Sequence, residues 1–263
     1  MRKTIIAGNW KMHKTLEESQ LFINELTKTV PNTSDDLAVI VAPPYTSLAT
    51  AKEQLQNSSI ALAAQNMSEH VQGAHTGDVS VEMLKSCGCT HIIIGHSERR
   101  KDHNEDNQLL NQKLALCLDY NIVPIYCVGE SLAQREQGQT LLVIETQLRE
   151  GLKKIDIQKD AFVIAYEPVW AIGTGKVATP SQANEVHQFI RAFIAENYSQ
   201  ATADQLPLLY GGSVKSDNIE SLLEMQHIDG ALIGGASLKT VEFSDIITKT
   251  IELKGMNKQA SLF

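Results

Sequence analysis

Residues 4–11 read Thr4-Ile5-Ile6-Ala7-Gly8-Asn9-Trp10-Lys11: an apolar, β-prone run closed by a polar turn. Seven further runs of this kind follow, at 37–42, 60–64, 91–95, 122–127, 162–166, 207–210 and 230–234. The first run spans 4–8, and each of the eight is nearly continuous in apolar residues instead of alternating. That pattern suits parallel strands covered on both faces. Strands alternating with helices eight times leave two α/β architectures, an open doubly wound sheet or a closed barrel. The open sheet predicts a Gly-x-Gly-x-x-Gly turn after the first strand, with an acidic residue about 20 positions on. Gly8-Asn9-Trp10-Lys11 is no such turn, and no Pro/Gly/Ser-rich linker divides the chain. The reading is a single eight-stranded parallel (βα) barrel over residues 1–263, close to the ~250 residues usual for that architecture.

The stretches between the runs carry helical signals. Thr15-Leu16-Glu17-Glu18 is a capping-box pattern, followed by an apolar stripe of Leu16, Leu21, Phe22 and Leu26. Thr179-Pro180-Ser181-Gln182 repeats it, with proline at the first helical position, where a missing N–H costs nothing. Helical periodicity is also expected at 104–119, 138–154, 216–226 and about 243–254, and most faintly near 80–86.

Composition narrows the function classes. Hydrophobic residues are 43% and charged residues 21% of the chain, which is globular composition. A chain of this size buries about three quarters of its unfolded surface, so it needs no disulfide or metal staple. The net charge of -8 argues against a general nucleic-acid binder, yet leaves room for a locally positive anion site. Cys87, Cys89, Cys117 and Cys127 have neither redox nor zinc-ribbon spacing and read as free thiols of a reducing compartment. The first apolar run is too short for a signal peptide, and no stretch approaches the ~20 apolar residues of a membrane span. The expected location is the cytoplasm.

In such a barrel the active site lies at the C-terminal ends of the strands. Asn9 and Lys11 follow the first run; His96, Ser97 and Glu98 follow the fourth; Glu167 and Pro168 follow the sixth. Gly211-Gly212-Ser213 and Gly234-Gly235 follow the seventh and eighth. Glycines let backbone N–H groups approach an anion, and these two strand ends are where barrels commonly hold phosphate. Tight βα turns would use the same residues. Gly173-Thr174-Gly175-Lys176 only mimics a P-loop, because Val177 stands where Ser or Thr is required. The apolar loop 168–178 around it fits two readings: a lid that excludes water, or a loop packed permanently on the rim. His96 lacks a nucleophile elbow beside it, and lies between a strand and a helix start, where N–H groups would keep the ring neutral. The remaining histidines show no metal spacing and read mostly as surface or loop residues.

Five blocks now stand in order: Gly8-Asn-Trp-Lys-Met12, Ile94-Gly-His-Ser-Glu-Arg-Arg100, Ala165-Tyr-Glu-Pro-Val-Trp-Ala-Ile-Gly-Thr-Gly-Lys176, Tyr210-Gly-Gly-Ser-Val214 and Leu232-Ile-Gly-Gly-Ala-Ser237. Through them the chain resembles the triosephosphate isomerase family along essentially its whole length. The resemblance implies the TIM barrel, an aldose–ketose isomerase serving glycolysis and gluconeogenesis, and no metal or organic cofactor. It implies Glu167 as the base and a neutral His96 that polarises the carbonyl. Lys11, with Asn9 beside it, would hold the phosphate and the developing oxyanion. Gly173, Ser213, Gly234 and Gly235 would bind phosphate through backbone N–H groups, with Ser97 and Glu98 supporting, the latter oriented towards Lys11. The chemistry further calls for a site that raises the base's proton affinity.

Residues 65–79 carry no clear secondary structure, and loops of that length are usually functional. In the family a similar loop enters the other subunit of a homodimer, which would bring Thr76 to the partner's Asn9 and Lys11. His75 stands where Phe or Tyr is expected and Asp78 where Glu is usual, so His75 protonation is expected to weaken the dimer at mildly acidic pH. Two alternative readings make different demands on the residues. A phosphosugar epimerase on the same barrel would show metal ligands or paired aspartates at these strand ends. A non-catalytic scaffold would have lost Lys11, His96 or Glu167.

Overall fold

The computed structural model describes residues 2–30, 36–157, 162–172 and 177–260. Eight strands form one closed parallel barrel in sequence order: β1 Thr4–Asn9, β2 Leu37–Ala42, β3 Ala61–Ala64, β4 His91–Ile94, β5 Val123–Val128, β6 Val163–Tyr166, β7 Leu208–Tyr210 and β8 Gly230–Ile233. All lie within a residue or so of the expected runs. The ring closes where Ile5 to Gly8 of β1 pair with Gly230 to Ile233 of β8. Glycine is required at that seam, since a Cβ on Gly230 would lie 2.0 Å from the Ile5 carbonyl oxygen.

The unbroken apolar runs follow from burial on two sides. Ile5, Ala7, Ile40, Ile93, Ile125, Val163, Leu209 and Leu232 fill the barrel interior. Ile6, Val39, Val41, Ile92, Ile94 and Ile164 point outward and pack under the helices. Among the described residues no helix is long and apolar enough to cross a membrane. All four cysteines are free; Cys87 is partly exposed and the other three are buried.

Helices cover the outside: α1 Leu16–Thr29, α2 Leu48–Gln54, α3 Val81–Ser86, α4 Ser97–Asp102, α5 Asn107–Asp119, α6 Leu132–Glu136, α7 Thr140–Gly151, α8 Pro180–Asn197, α9 Gln200–Gln205, α10 Ile219–Leu223 and α11 Thr240–Ala260. Both expected capping boxes form, at Thr15 with Glu18 and at Thr179 with Gln182. The faint helix near 80–86 is real, because Ser80 caps it through the Met83 N–H. The helix expected over 216–226 is cut to a few residues. Asn218 accepts from the Lys215 N–H at 2.9 Å and donates to the Ser213 carbonyl at 3.1 Å, holding its own turn in place of a helical start.

Candidate active site

The C-terminal mouth of the barrel opens into a cleft of about 710 Å³, with Asn9, Lys11, His96, Glu167, Ser213, Gly234 and Gly235 on its walls. Asn9 ends β1 and turns its carboxamide oxygen to the Lys11 N–H at 3.0 Å. Lys11 takes left-handed backbone, φ +52°, a conformation that costs a non-glycine residue on the order of 1–2 kcal/mol. Gln65 offsets it by donating one amide to the Lys11 carbonyl and the Ala42 carbonyl, each at 2.8 Å. The Lys11 ammonium meets the Glu98 carboxylate at 2.5 Å, the orientation expected for Glu98.

His96 caps α4. Its Nδ1 accepts the Glu98 N–H at 3.2 Å, which only a ring unprotonated at that nitrogen can do. The proton therefore sits on Nε2, which faces Glu167 Oε1 at 3.0 Å. The other carboxylate oxygen of Glu167 accepts the Ser97 N–H at 2.9 Å. Burial is the largest single influence on both groups and opposes their charge, but the contacts that favour charge outweigh it together. Glu167, with Glu98 behind it, draws the His96 pKa above its ordinary value, and His96, the Ser97 N–H and Lys11 hold Glu167 below the ordinary carboxylate value. That corrects the expectation of a base with raised proton affinity, at least while these partners hold it. It also sets a pull from Glu167 against the helix-start N–H that favours a neutral ring.

The backbone under Glu167 is tightly fitted. Its N–H donates to the Val128 carbonyl at 2.8 Å. Gly129 lies so close that a Cβ there would sit 1.8 Å from the Glu167 carbonyl oxygen, and one on Gly211 would sit 2.8 Å from Glu167 Cγ. A Cβ on Gly212 would meet the Tyr210 hydroxyl at 2.2 Å. The glycine pair after β7 thus serves packing. The pair after β8 faces the cleft, with open space at Gly235 and the Lys11 side chain 3.4 Å from a Cβ on Gly234. Cys127 stays a thiol, because burial and the nearby Glu167 charge push its pKa up.

Past Glu167, Val169–Ala171 forms one 3-10 turn fixed to the rim. Its anchor is Glu130, fully buried. The Glu130 carboxylate accepts from the Trp170 indole at 2.9 Å, the Tyr166 hydroxyl at 3.1 Å and Arg135 at 3.2 Å. Gly173 lies outside the described residues, as does the rest of 173–176. Glu130, Gly129 and Gln65 are absent from the strand ends read above. Gly129-Glu130 after β5 and Gln65 after β3 were legible by the same rule. Among the histidines, His187 is a core residue, fully buried against Tyr166.

On the far side of Lys11 lies a smaller cavity of about 180 Å³ bounded by Gln65, Glu98 and Met12, the last 95% exposed. Thr76 is exposed at the tip of the 65–79 loop. Behind it His75 stacks on His70 at 3.7 Å between ring centroids, and Asp78 accepts from Ser68 at 2.7 Å. Among the described residues, no cluster of three or more His, Cys, Asp or Glu side chains is placed to hold a metal ion.

Residues 4–250 match the family model described as triosephosphate isomerase. The triosephosphate isomerase of Carboxydothermus hydrogenoformans is 47% identical over 252 residues, covering 95% of this chain and 100% of the relative. That of Caldanaerobacter subterraneus subsp. tengcongensis is 48% identical over 250 residues, 94% and 99% of the two chains. That of Dictyoglomus turgidum is 46% identical over 248 residues, again 94% and 99%.

Proposed function

The chain belongs to the triosephosphate isomerase family, and from that premise we propose that Glu167, His96 and Lys11 carry its interconversion of dihydroxyacetone phosphate and D-glyceraldehyde 3-phosphate. The observation that carries this assignment is the meeting of a buried carboxylate with an imidazole Nε2 at 3.0 Å in the wall of the cleft that Lys11 lines. Substrate enters between the two. Glu167 leaves the Ser97 N–H and the ring, and takes a proton from the carbon beside the carbonyl. The electron pair of that C–H bond becomes the double bond of an enediolate, while the carbonyl oxygen gains the charge. His96 gives its Nε2 proton to that oxygen and recovers one from the neighbouring hydroxyl. Glu167 then returns its proton to the adjacent carbon.

Once its two donors are withdrawn, burial is the main force left on Glu167, and burial raises proton affinity. The low resting basicity and the demand of the reaction are thereby reconciled. Lys11, beside Asn9, supplies the fixed positive charge for oxyanion and phosphate. Gly234 and Gly235, with Ser213 and Gly173, offer N–H groups to the phosphate, and Ser97 and Glu98 hold the base and the lysine in waiting. The apolar loop that follows Glu167 keeps water from the intermediate.

The active form in this reading is a cytoplasmic homodimer of one catalytic barrel per chain, residues 1–263. Thr76 of one copy fills the polar cavity beside Lys11 of the other, and Met12 is covered. Sedimentation at pH 8 tests this; a monomer at micromolar concentration with full activity would refute it. The site assignment is tested by a coupled assay of the purified protein. Glu167→Ala is expected to abolish turnover, and a chelator to leave the wild-type rate unchanged; an active alanine variant would overturn the base.

A further inference from the structure

His96 follows β4 and Glu167 follows β6, with β5 between them in the barrel, so the spacing of the two side chains depends on how the ends of these strands are held together. The β4–β5 ladder ends at the Ile94–Tyr126 pair. Beyond it Gly95 turns into left-handed backbone, φ +75°, and the chain leaves for His96. The guanidinium of Arg100, on α4, comes back into the gap. Its Nε donates to the Gly95 carbonyl at 2.9 Å, and its Nη2 to the Cys127 carbonyl at 3.0 Å. The same Nη2 reaches the Tyr126 hydroxyl at 3.3 Å. The remaining nitrogen is held by Asn107 at 2.7 Å, and Asn107 is itself held by Glu150 at 2.8 Å. The β5 end so gripped is the support of the base, through the Val128 and Gly129 contacts to the Glu167 backbone.

We propose that Arg100 is a positioning residue for the isomerisation: its planar fork ties the strand end that carries His96 to the strand end on which Glu167 rests, and so fixes the spacing of electrophile and base. The inference rests on the assignment of those two residues as catalytic. The guanidinium replaces ladder hydrogen bonds that the left-handed turn at Gly95 interrupts. A lysine could satisfy one carbonyl but could not span both, because it presents a single point of charge where arginine presents a rigid fork. Asn107 orients the fork and, among the described residues, bonds to neither strand end.

Arg100→Lys, Arg100→Ala, Asn107→Ala and Glu167→Ala in the full chain test the proposal. Readouts are kcat, KM, inhibition by inorganic phosphate, the pH profile of kcat/KM and the thermal midpoint. Arg100→Lys is expected to lower kcat by about 10- to 100-fold, with KM and phosphate inhibition little changed, because the phosphate wall is untouched. The acid limb of its kcat/KM profile moves to higher pH as the imidazole drifts from Glu167. Guanidinium ion at low millimolar concentration restores part of the activity of Arg100→Ala and none of that of Arg100→Lys. Should Arg100→Ala fail to fold, Asn107→Ala must show a smaller kcat loss in the same direction. A folded Arg100→Lys enzyme with wild-type kcat and pH profile would overturn the proposal, as would a loss that only tracks the folded fraction. Wild-type kcat in Glu167→Ala would instead remove the assignment on which it rests.

Discussion

Shortening the proposed base by one methylene, Glu167→Asp, has an effect whose size follows from the geometry. The Glu167 backbone cannot follow the change, since its N–H is tied to Val128 and its carbonyl is seated on Gly129. The carboxylate therefore retreats by about one carbon–carbon bond, ~1.5 Å. Its contacts of 2.9 Å to the Ser97 N–H and 3.0 Å to His96 lengthen beyond hydrogen-bond reach. The reacting atoms need an approach of about 3–3.5 Å, and a misplacement of ~1 Å costs about 10²-fold. A retreat of ~1.5 Å should lower kcat by about 10²- to 10³-fold, or about 2.7–4 kcal/mol of barrier. KM should hardly move, because Lys11, Gly234 and Gly235 stand apart from the change. The assay is coupled turnover in both directions, with substrate deuterated at the carbon that loses its proton. The isotope effect on kcat should grow as proton transfer becomes limiting. An aspartate variant within a few fold of wild type, with an unchanged isotope effect, would refute the reasoning.

Three further outcomes follow from other contacts. Glu105 is buried and accepts from Arg99 at 2.7 Å and from the equally buried Lys113 at 2.8 Å. Glu105→Gln strands the lysine charge, at about 3–5 kcal/mol, and calorimetry should show a midpoint lower by about 6–20 °C with kcat per folded molecule preserved. His187 is fully buried, and burial drives its pKa down to about 3, whereas the unfolded imidazole titrates near 6.5. Below pH 6.5 the unfolded chain binds a proton that the folded one refuses, so stability is intact above 6.5 and falls with pH by about 1.4 kcal/mol per unit towards pH 3. Urea melts at pH 7.5 and pH 5 should show that loss, about 2 kcal/mol from this group, and His187→Gln should lack it; parallel pH dependence would exclude the histidine. Gly129→Ala, whose Cβ would overlap the Glu167 carbonyl, should lose both thermal stability and kcat, while Gly235→Ala, with open space at its Cβ, should fold as wild type.

Much of the molecule was legible because two-sided burial writes itself into a strand. Ile5 faces the interior and Ile6 the helices, so neither position tolerates a polar residue, and the runs read as unbroken. Capping boxes at Thr15 and Thr179 were equally plain, being local hydrogen-bond chemistry. Strand ends exposed Asn9, Lys11, His96 and Glu167 because polar residues there have nowhere to point but the mouth. The rest depends on contacts between distant residues. Gln65 steadies Lys11 from 54 positions away and Glu130 anchors Trp170 from 40, and no local pattern marks either pairing. The glycine pair after β7 reads like the pair after β8, yet only the neighbours Glu167 and Tyr210 reveal its packing role. The low resting basicity of Glu167 likewise follows from the His96 and Ser97 contacts and from nothing in the letters around it.

In the proposed reaction one carboxylate, Glu167, moves the proton between the two carbons. Isomerisation in deuterium oxide, followed by proton magnetic resonance of the carbon-bound hydrogens, tests it most directly. Wild-type protein should place solvent deuterium on the carbon beside the carbonyl as turnover proceeds, since an enediolate beside a carboxylic acid exchanges its proton with water. Glu167→Ala, folded and still inhibited by phosphate, should lose exchange and isomerisation together. Exchange at the wild-type rate in that variant would contradict the account.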